Sequence, residues 1–385
     1  MVSIQASPYP LVFRLGNAEA LGFAVPASPG VAIRTKSRAL EGMQKEAVVC
    51  DALSGCAWRM VSDEGPYLNG TDLAPFPLAF FTAGMAANYM STIVALLRQR
   101  NIAYRSVQFT QNNRYSMTGS AIKGTMIGGA LPVELEVHID GDADEITLAQ
   151  LVAAAIDVSP VTELLRTKLD SEFALTVNGR ATATGRVAAL VNTIDTRADG
   201  FDAAAPPDAP DFPANIIEKL ASAETVFGVD GGAGSSLSAE QNRILHVRGI
   251  CSLCVDGLIE IRTQLLKPIG SVFRFLAASG TGAESEHAPS GLAYLSAGIA
   301  FCYMTQLGRY AHIVKKPLND YRLVQDTRFS AVGTAGDVTP VRTHVFLDTP
   351  DGDEYARTLV DMGEQTCFLH AACRSDVAAK ITLNP

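Results

Sequence analysis

The chain has 385 residues, of which 48% are hydrophobic and 18% are charged. This length predicts two domains, and this composition excludes a disordered chain. The formal net charge is −9 and Lys and Arg form no cluster, which excludes nucleic acid as a partner because phosphate binding needs grouped cations.

The sequence carries no sign of export or of a membrane. Residues 1–10 lack the charged segment and apolar core of a signal peptide. Residues 78–97 are long and apolar enough to span a bilayer, but they include Asn88 and Thr92, so we expect a buried helix. The seven cysteines are an odd number, which indicates reduced thiols and a cytoplasmic protein.

The first half of the chain mixes strands and helices. Short apolar runs between turn residues predict several strands up to residue 61. Helices are predicted over 77–100 and 144–156, and another begins at Ser159-Pro160, where Ser caps it and Pro takes its first position. Further strands are predicted over 103–111, 114–122, 131–140 and 173–178.

A linker is predicted over residues 181–240. Residues 203–213 are rich in Ala and Pro and fit neither helix nor sheet. Residues 215–223 predict a short helix. The glycine-rich run 228–236 is not a phosphate-binding loop, because no Gly-Lys-Ser/Thr follows it.

The second half repeats the first. Residues 74–90 return 214 positions later as residues 288–304, with nine of seventeen positions identical. Other matched pairs are 58–61 with 273–276, 132–140 with 340–348, Asn88 with Cys302, Ser159 with Cys367, and Arg166 with Arg374. Each half therefore predicts strands, a long helix, strands, two helices and a closing strand. That order is typical of an α+β fold.

Three features together resemble a known family: the long helix with its cysteine, the strand that ends in Asp140-Gly141-Asp142, and a Cys-Pro-Val motif. The last is present as Ser159-Pro160-Val161 and as Cys367-Phe368-Leu369-His370. The chain resembles the OsmC/Ohr-like family of osmotically induced and organic hydroperoxide resistance proteins. The resemblance implies a swapped dimer, fused here into one chain, with antiparallel sheets wrapped around two long central helices.

The resemblance also implies how the chain is divided. Residues 1–180 would be a repeat that lacks both family cysteines, residues 181–240 the linker, and residues 241–385 a repeat that keeps Cys302 and Cys367. We expect a pseudo-dimer within one chain, which could associate further.

The family reduces peroxides with its two cysteines. The resemblance implies that Cys302 attacks an organic hydroperoxide and then forms a disulfide with Cys367, which a dithiol or thioredoxin-type reductant restores. It implies a small-molecule substrate and neither a metal nor another cofactor. Two positions depart from the family: Leu292 stands where hydroperoxide-reducing members have a glutamate, and their activating arginine has no match.

Local chemistry distinguishes the two thiols. Cys302 lies in mid-helix between Phe301 and Tyr303, where burial raises a thiol pKa, so it needs a cation, and Arg309 shares its helix face two turns away. Cys367 takes a helix-capping position, which favours the thiolate. Local physics thus favours Cys367 as the acidic thiol, whereas family precedent makes Cys302 the attacker.

Other side chains complete the predicted site. His370, one turn after Cys367, is a candidate base or thiolate partner, and Asn88, His287, Tyr303 and Arg374 are candidates for substrate contact. The Cys251–Cys254 spacing lacks the context of a zinc or thioredoxin motif. Two other functions stay open: a cysteine- or histidine-dependent hydrolase of a small carbonyl compound, and a non-catalytic binding protein.

Overall fold

A computed structural model describes residues 3–18, 30–191, 194, 201, 215–222, 241–280, 282–331 and 337–384. The predicted runs 203–213 and 228–236 lie outside these described residues. The helices are α1 (Pro77–Gln99), α2 (Glu145–Asp157), α3 (Pro160–Arg166), α4 (Gly291–Val314), α5 (Gly352–Thr366) and α6 (Phe368–Arg374). Short 3₁₀ turns at Pro66–Leu68 and Ala283–Glu286 lie before α1 and α4.

Seventeen strands are assigned within the described residues. Those of the first half are β1 (Val12–Asn17), β2 (Val31–Ala39), β3 (Lys45–Asp51), β4 (Cys56–Ser62), β5 (Tyr104–Gly119), β6 (Ile127–Ala130), β7 (Val133–Gly141) and β8 (Glu172–Val177). β9 (Arg180–Thr182), β10 (Ala188–Ala189) and β11 (Ile217–Ala221) follow. Those of the second half are β12 (Gln241–Leu253), β13 (Leu258–Lys267), β14 (Val272–Ala278), β15 (Asp320–Phe329), β16 (Arg342–Asp348) and β17 (Ala379–Asn384).

The two sheets exchange strands between the halves of the chain. One sheet runs β1-β4-β3-β2-β15-β16-β8-β10, with β9 on β8, and the other runs β11-β14-β13-β12-β5-β7-β17, with β6 on β5. Each sheet thus joins the early strands of one half to the later strands of the other, through the pairs β2–β15 and β12–β5. The fold is α+β, as predicted.

The sheets are mixed rather than wholly antiparallel. β8 lies parallel to β16, and β17 lies parallel to β7. In each half the closing strand follows two helices. It joins the sheet that does not contain the strand before those helices, and a connection of this length permits parallel pairing.

Two local predictions differ from the structure. Residues 217–221 form strand β11 on β14 instead of a helix, because Ile216 and Ile217 are buried there and the free sheet edge pairs the backbone. The strands predicted over 103–111 and 114–122 are one strand, β5, which pairs with β12 along most of its length.

Helices α1 and α4 cross antiparallel in the centre of the molecule at three glycines. A Cβ added to Gly84 would lie 2.5 Å from the Gly291 carbonyl oxygen and the Leu295 nitrogen, and one added to Gly298 would lie 2.7 Å from the Phe81 nitrogen. The contact between residues 84 and 295 and the contact between residues 298 and 81 are equivalent, because residues 84 and 298, and residues 81 and 295, are each separated by the 214-residue offset. The helix pair therefore has a local two-fold relation. Among the described residues, α1 alone is long and apolar enough for a membrane span, and 83% of its apolar window is buried.

We predict that Gly84→Ala weakens the fold. Its methyl group would meet the backbone of α4, which cannot move aside as a flexible side chain can, so we expect about 1–3 kcal/mol of destabilisation, despite the roughly 1 kcal/mol that alanine gains in a helix. Urea unfolding measures this change.

Gly308→Ala is the matched control, because its added Cβ would meet the Tyr321 hydroxyl, at the end of a side chain. Equal stability losses in the two variants would contradict the close helix crossing.

Candidate active site

The structure brings Cys302 and Cys367 together. Cys302 lies in the middle of α4, and Cys367 is the residue between α5 and α6. The two side chains interact, since Cys367 raises the pKa of Cys302 and Cys302 lowers the pKa of Cys367, and all seven cysteines are free. The pair is closed off from solvent, since Cys302 exposes 2% of its surface and Cys367 none.

His370 is held against Cys367 from one turn along the same helix. Its Nδ1 lies 3.2 Å from the Cys367 Sγ. Its ring packs against those of Phe173 and Tyr303, with centroids 5.5 Å and 5.1 Å away, and these two rings also pack on each other at 5.3 Å. Its Nε2 is buried and has no hydrogen-bond partner among the described residues. The imidazole therefore directs its polar contact to the sulfur.

The surroundings separate the acidities of the two thiols. Burial raises the pKa of Cys302 well above its usual value, and Cys367 and Glu64 raise it further. Burial acts the same way on Cys367, but the hydrogen bond from Cys302 and the contacts with His370 outweigh it and hold the pKa of Cys367 well below its usual value. A thiolate carried by this pair is therefore best placed on Cys367.

Lys45 is a cation of the site that the sequence analysis missed. It begins β3 on the same face as Ala47 and Val49, which belong to the central core, and its side chain is wholly buried. Burial lowers the pKa of Lys45, while Glu64, Asp63 and Cys302 act to raise it. Its Nζ donates a hydrogen bond of 2.6 Å to the Met43 carbonyl oxygen.

Glu64 interacts electrostatically with Lys45 and is hydrogen-bonded to the helix that carries Cys302. Its carboxylate accepts hydrogen bonds from Thr305 at 2.7 Å and Tyr67 at 3.0 Å. Burial raises the pKa of Glu64, and Lys45 opposes the rise most strongly. Thr305 is one turn beyond Cys302, so the buried charges lie directly beside the thiol on the same helix face.

Arg309 extends the same face of α4. Its side chain is buried, and burial together with Arg243 lowers its pKa to about 9, against the influence of Glu64. Arg309 also lines a cavity of about 690 Å³, with Met43, Leu68, Ile313 and Tyr321 among the other walls. A cavity with apolar walls and a basic rim, which includes His312, Lys315 and Lys316, therefore ends at Arg309 on the face of α4 that carries Cys302.

Both halves of the chain supply the site. Cys302, Cys367 and His370 come from the second half, whereas Lys45 and Glu64 come from the first. The site depends on the strand exchange, because β2 and β3 of the first half pack on α4 of the second half.

The matched location at the other end of the helices has lost these groups. There Ser159 donates a hydrogen bond of 2.7 Å to the Asn88 Oδ1, which repeats the contact between the two cysteines. Lys45 pairs with Ser62 in the sheet. In the second half, the position that matches Lys45 is Ile259, which pairs with Ala277. Ile259 is a fully buried apolar residue. Thiols and cation are thus missing together.

Of the remaining candidates, Tyr303 lies beside the thiol pair, whereas Asn88, His287 and Arg374 make their contacts elsewhere. Asn88 bonds to Ser159, and His287 is exposed before α4, about 16 Å of helix from Cys302. Tyr303 packs on His370, and its hydroxyl donates to the Val360 carbonyl oxygen at 3.4 Å. Arg374 pairs with the Glu364 carboxylate.

Three further residues bear on the predictions made from the sequence. Leu292 is buried near the start of α4, about three helical turns before Cys302. Cys251 is buried in β12 and Cys254 is half-buried. No group of three or more His, Cys, Asp or Glu side chains in the described ranges is arranged to hold a metal ion.

A part of the second half of the chain matches a known protein family. Residues 282–382 match the family model "OsmC-like protein". A crystal structure of an OsmC-like hydroperoxide resistance protein from Jannaschia sp. CCS1 is 22% identical, covering 33% of this chain and 83% of that chain at a TM-score of 0.18. No curated protein matches the chain.

We predict that Lys45→Met destabilises the fold by about 1–3 kcal/mol, because it removes the hydrogen bond to the Met43 carbonyl oxygen and the charge that opposes the effect of burial on Glu64. Lys45→Met combined with Glu64→Gln should cost less than the sum of the two single changes. Urea unfolding of the four proteins gives the coupling free energy.

The control is Lys168→Met, which removes an ion pair with Asp376 in which both side chains are more than half exposed. We expect less than about 1 kcal/mol there. Additive effects of Lys45→Met and Glu64→Gln would show that the two side chains do not interact.

Proposed function

We propose that this chain, whose residues 282–382 form an OsmC-like domain, is a thiol-dependent reductase of organic hydroperoxides with a single two-cysteine site. A dithiol or thioredoxin-type reductant of the cytoplasm would restore the dithiol after each turnover. The site would need neither a metal nor another cofactor.

The observation that carries this proposal is the pair of free, buried and interacting cysteines Cys302 and Cys367 beside His370. An ordinary cysteine, with a pKa near 8.5, is only about 3% thiolate at pH 7, and peroxide reduction needs the thiolate. The contacts that lower the pKa of Cys367 favour one there. Because the two thiols interact, we expect that a disulfide between them needs little chain movement.

The cavity beside Arg309 supports an organic rather than an inorganic peroxide. Leu68, Ile313 and Leu318 give it apolar walls, and apolar walls select ligands with hydrocarbon groups. The thiols themselves are buried, so substrate reaches them only when the wall between cavity and thiols moves.

We predict that one equivalent of cumene hydroperoxide is consumed per chain and that Cys302 and Cys367 become joined by a disulfide. Loss of the hydroperoxide is followed by a colorimetric assay, and the disulfide is identified by mass spectrometry of the peptides. Turnover should appear when a dithiol is added.

Cys254→Ser is the control, since Cys254 is half-buried in the turn between β12 and β13 and lies outside the pair. It should behave as the unchanged protein does. If hydroperoxide treatment leaves Cys302 and Cys367 unlinked, the proposed function is wrong.

The contact between Cys367 and His370 favours one alternative, a cysteine-dependent hydrolase of a small carbonyl compound. A sulfur 3.2 Å from an imidazole nitrogen is the arrangement of an activated nucleophile and its base. No group among the described residues orients the other ring nitrogen, which such enzymes usually require.

If the alternative holds, we predict turnover of activated esters without any reductant, reduced at least about 100-fold by His370→Ala, as expected for loss of a general base. Release of p-nitrophenol from p-nitrophenyl acetate measures it. Unchanged turnover in His370→Ala and Cys367→Ser would exclude this site as the source.

A further inference from the structure

We propose that Cys367 is the cysteine that attacks the peroxide and that Cys302 resolves it, with His370 as the acid that protonates the leaving alkoxide. This inference rests on the proposed peroxide reductase and assigns the roles within its site. It reverses the order that the family resemblance implies.

Direct contact with an imidazole distinguishes the two sulfurs. The imidazole Nδ1 lies 3.2 Å from the Cys367 Sγ, and the rings of Phe173 and Tyr303 pack against it. For Cys302, the cation within electrostatic reach is Lys45, whose Nζ hydrogen-bonds Met43 and whose charge is opposed by Glu64. Glu64 also acts directly against a thiolate on Cys302.

The other groups around Cys367 do not reverse this order. Those that interact with it electrostatically are Cys302 and Tyr303 of α4, Tyr115 of β5, and His370 and Cys373 of α6. Burial raises the pKa of Tyr303, Tyr115 and Cys373 above their usual values, so these three are neutral at pH 7. His370 is therefore the titratable group whose nitrogen is in direct contact with the Cys367 sulfur, and we assign to it the proton that compensates a thiolate there.

The chemistry balances within the site. The Cys367 thiolate attacks the hydroxyl oxygen of ROOH, an S–O bond forms as the O–O bond breaks, and the Nδ1 proton of His370 passes to RO⁻ to give ROH. Sulfur is oxidised by two electrons and the peroxide is reduced by two. The Cys302 thiol then attacks the sulfenic sulfur, and the hydroxyl group leaves with the thiol proton as water.

Single-cysteine variants test the order of attack. Cys302→Ser should still react with cumene hydroperoxide and yield a Cys367 sulfenic acid that dimedone traps for peptide mass spectrometry. Cys367→Ser should oxidise at Cys302 at least about 30-fold more slowly at pH 7, the factor expected when only about 3% of a thiol is ionised.

His370→Gln tests the acid. In Cys302→Ser/His370→Gln, oxidation of Cys367 should slow by a similar factor and should rise with pH through the ordinary thiol range, a pH profile that a purely structural role would not produce. His138→Gln, an exposed histidine of β7, should leave rate and profile unchanged.

The unchanged protein gives a second measurement that does not depend on the folding of a variant. Brief treatment with iodoacetamide at pH 6.5 should label Cys367 before Cys302. Peptide mass spectrometry reports the order of labelling.

The outcomes separate the two proposals. Rapid oxidation of Cys302 in Cys367→Ser, with no reaction of Cys367 in Cys302→Ser, would overturn the role assignment and leave the peroxide reductase standing. Iodoacetamide labelling of Cys302 first would also overturn it. No oxidation of either cysteine by hydroperoxide would overturn both proposals.

Discussion

The close crossing of α1 and α4 at Gly84, Gly291 and Gly298 sets the rest of the structure. Backbone meets backbone there, with room for no more than a hydrogen on each glycine Cα. The distance between the two helices and their register along each other are therefore fixed. The strands of each half pack on this pair and complete the sheet begun by the other half. That register fixes the two ends of the helix pair as equivalent places, one with Cys302 and one with Asn88.

Strand exchange has a chemical consequence at the thiol end. A buried lysine and a buried glutamate from the first half lie beside a pair of cysteines from the second half. Buried charges are tolerated only when each has a counter-charge or hydrogen bonds, and here Thr305 and Tyr67 supply the bonds to Glu64. The fold and the site therefore depend on the same side chains.

Much of this arrangement could be predicted from the sequence. The repeated long helix, the capping serine at Ser159 and the matching of Ser159 with Cys367 follow from local patterns, whereas the pairing of Cys302 with Cys367 came from the resemblance to the OsmC/Ohr-like family. Lys45 could not be found that way. Its inward direction follows from the alternation of β3, but only the register between β3, β4 and α4 shows that this face meets Cys302. The strand at 217–221 was missed because a free sheet edge, not local preference, decides its conformation.

The pairing of Asn88 with Ser159, together with Ile259 in place of a lysine, shows what a single chain with two matched halves permits. In a symmetric homodimer each substitution appears at both sites, so a chain without the thiols or without the lysine would lack them at every site. Two matched halves of one chain can differ at matched positions. Here each half lacks groups that the other supplies, so neither half paired with a copy of itself would contain the full set found beside Cys302.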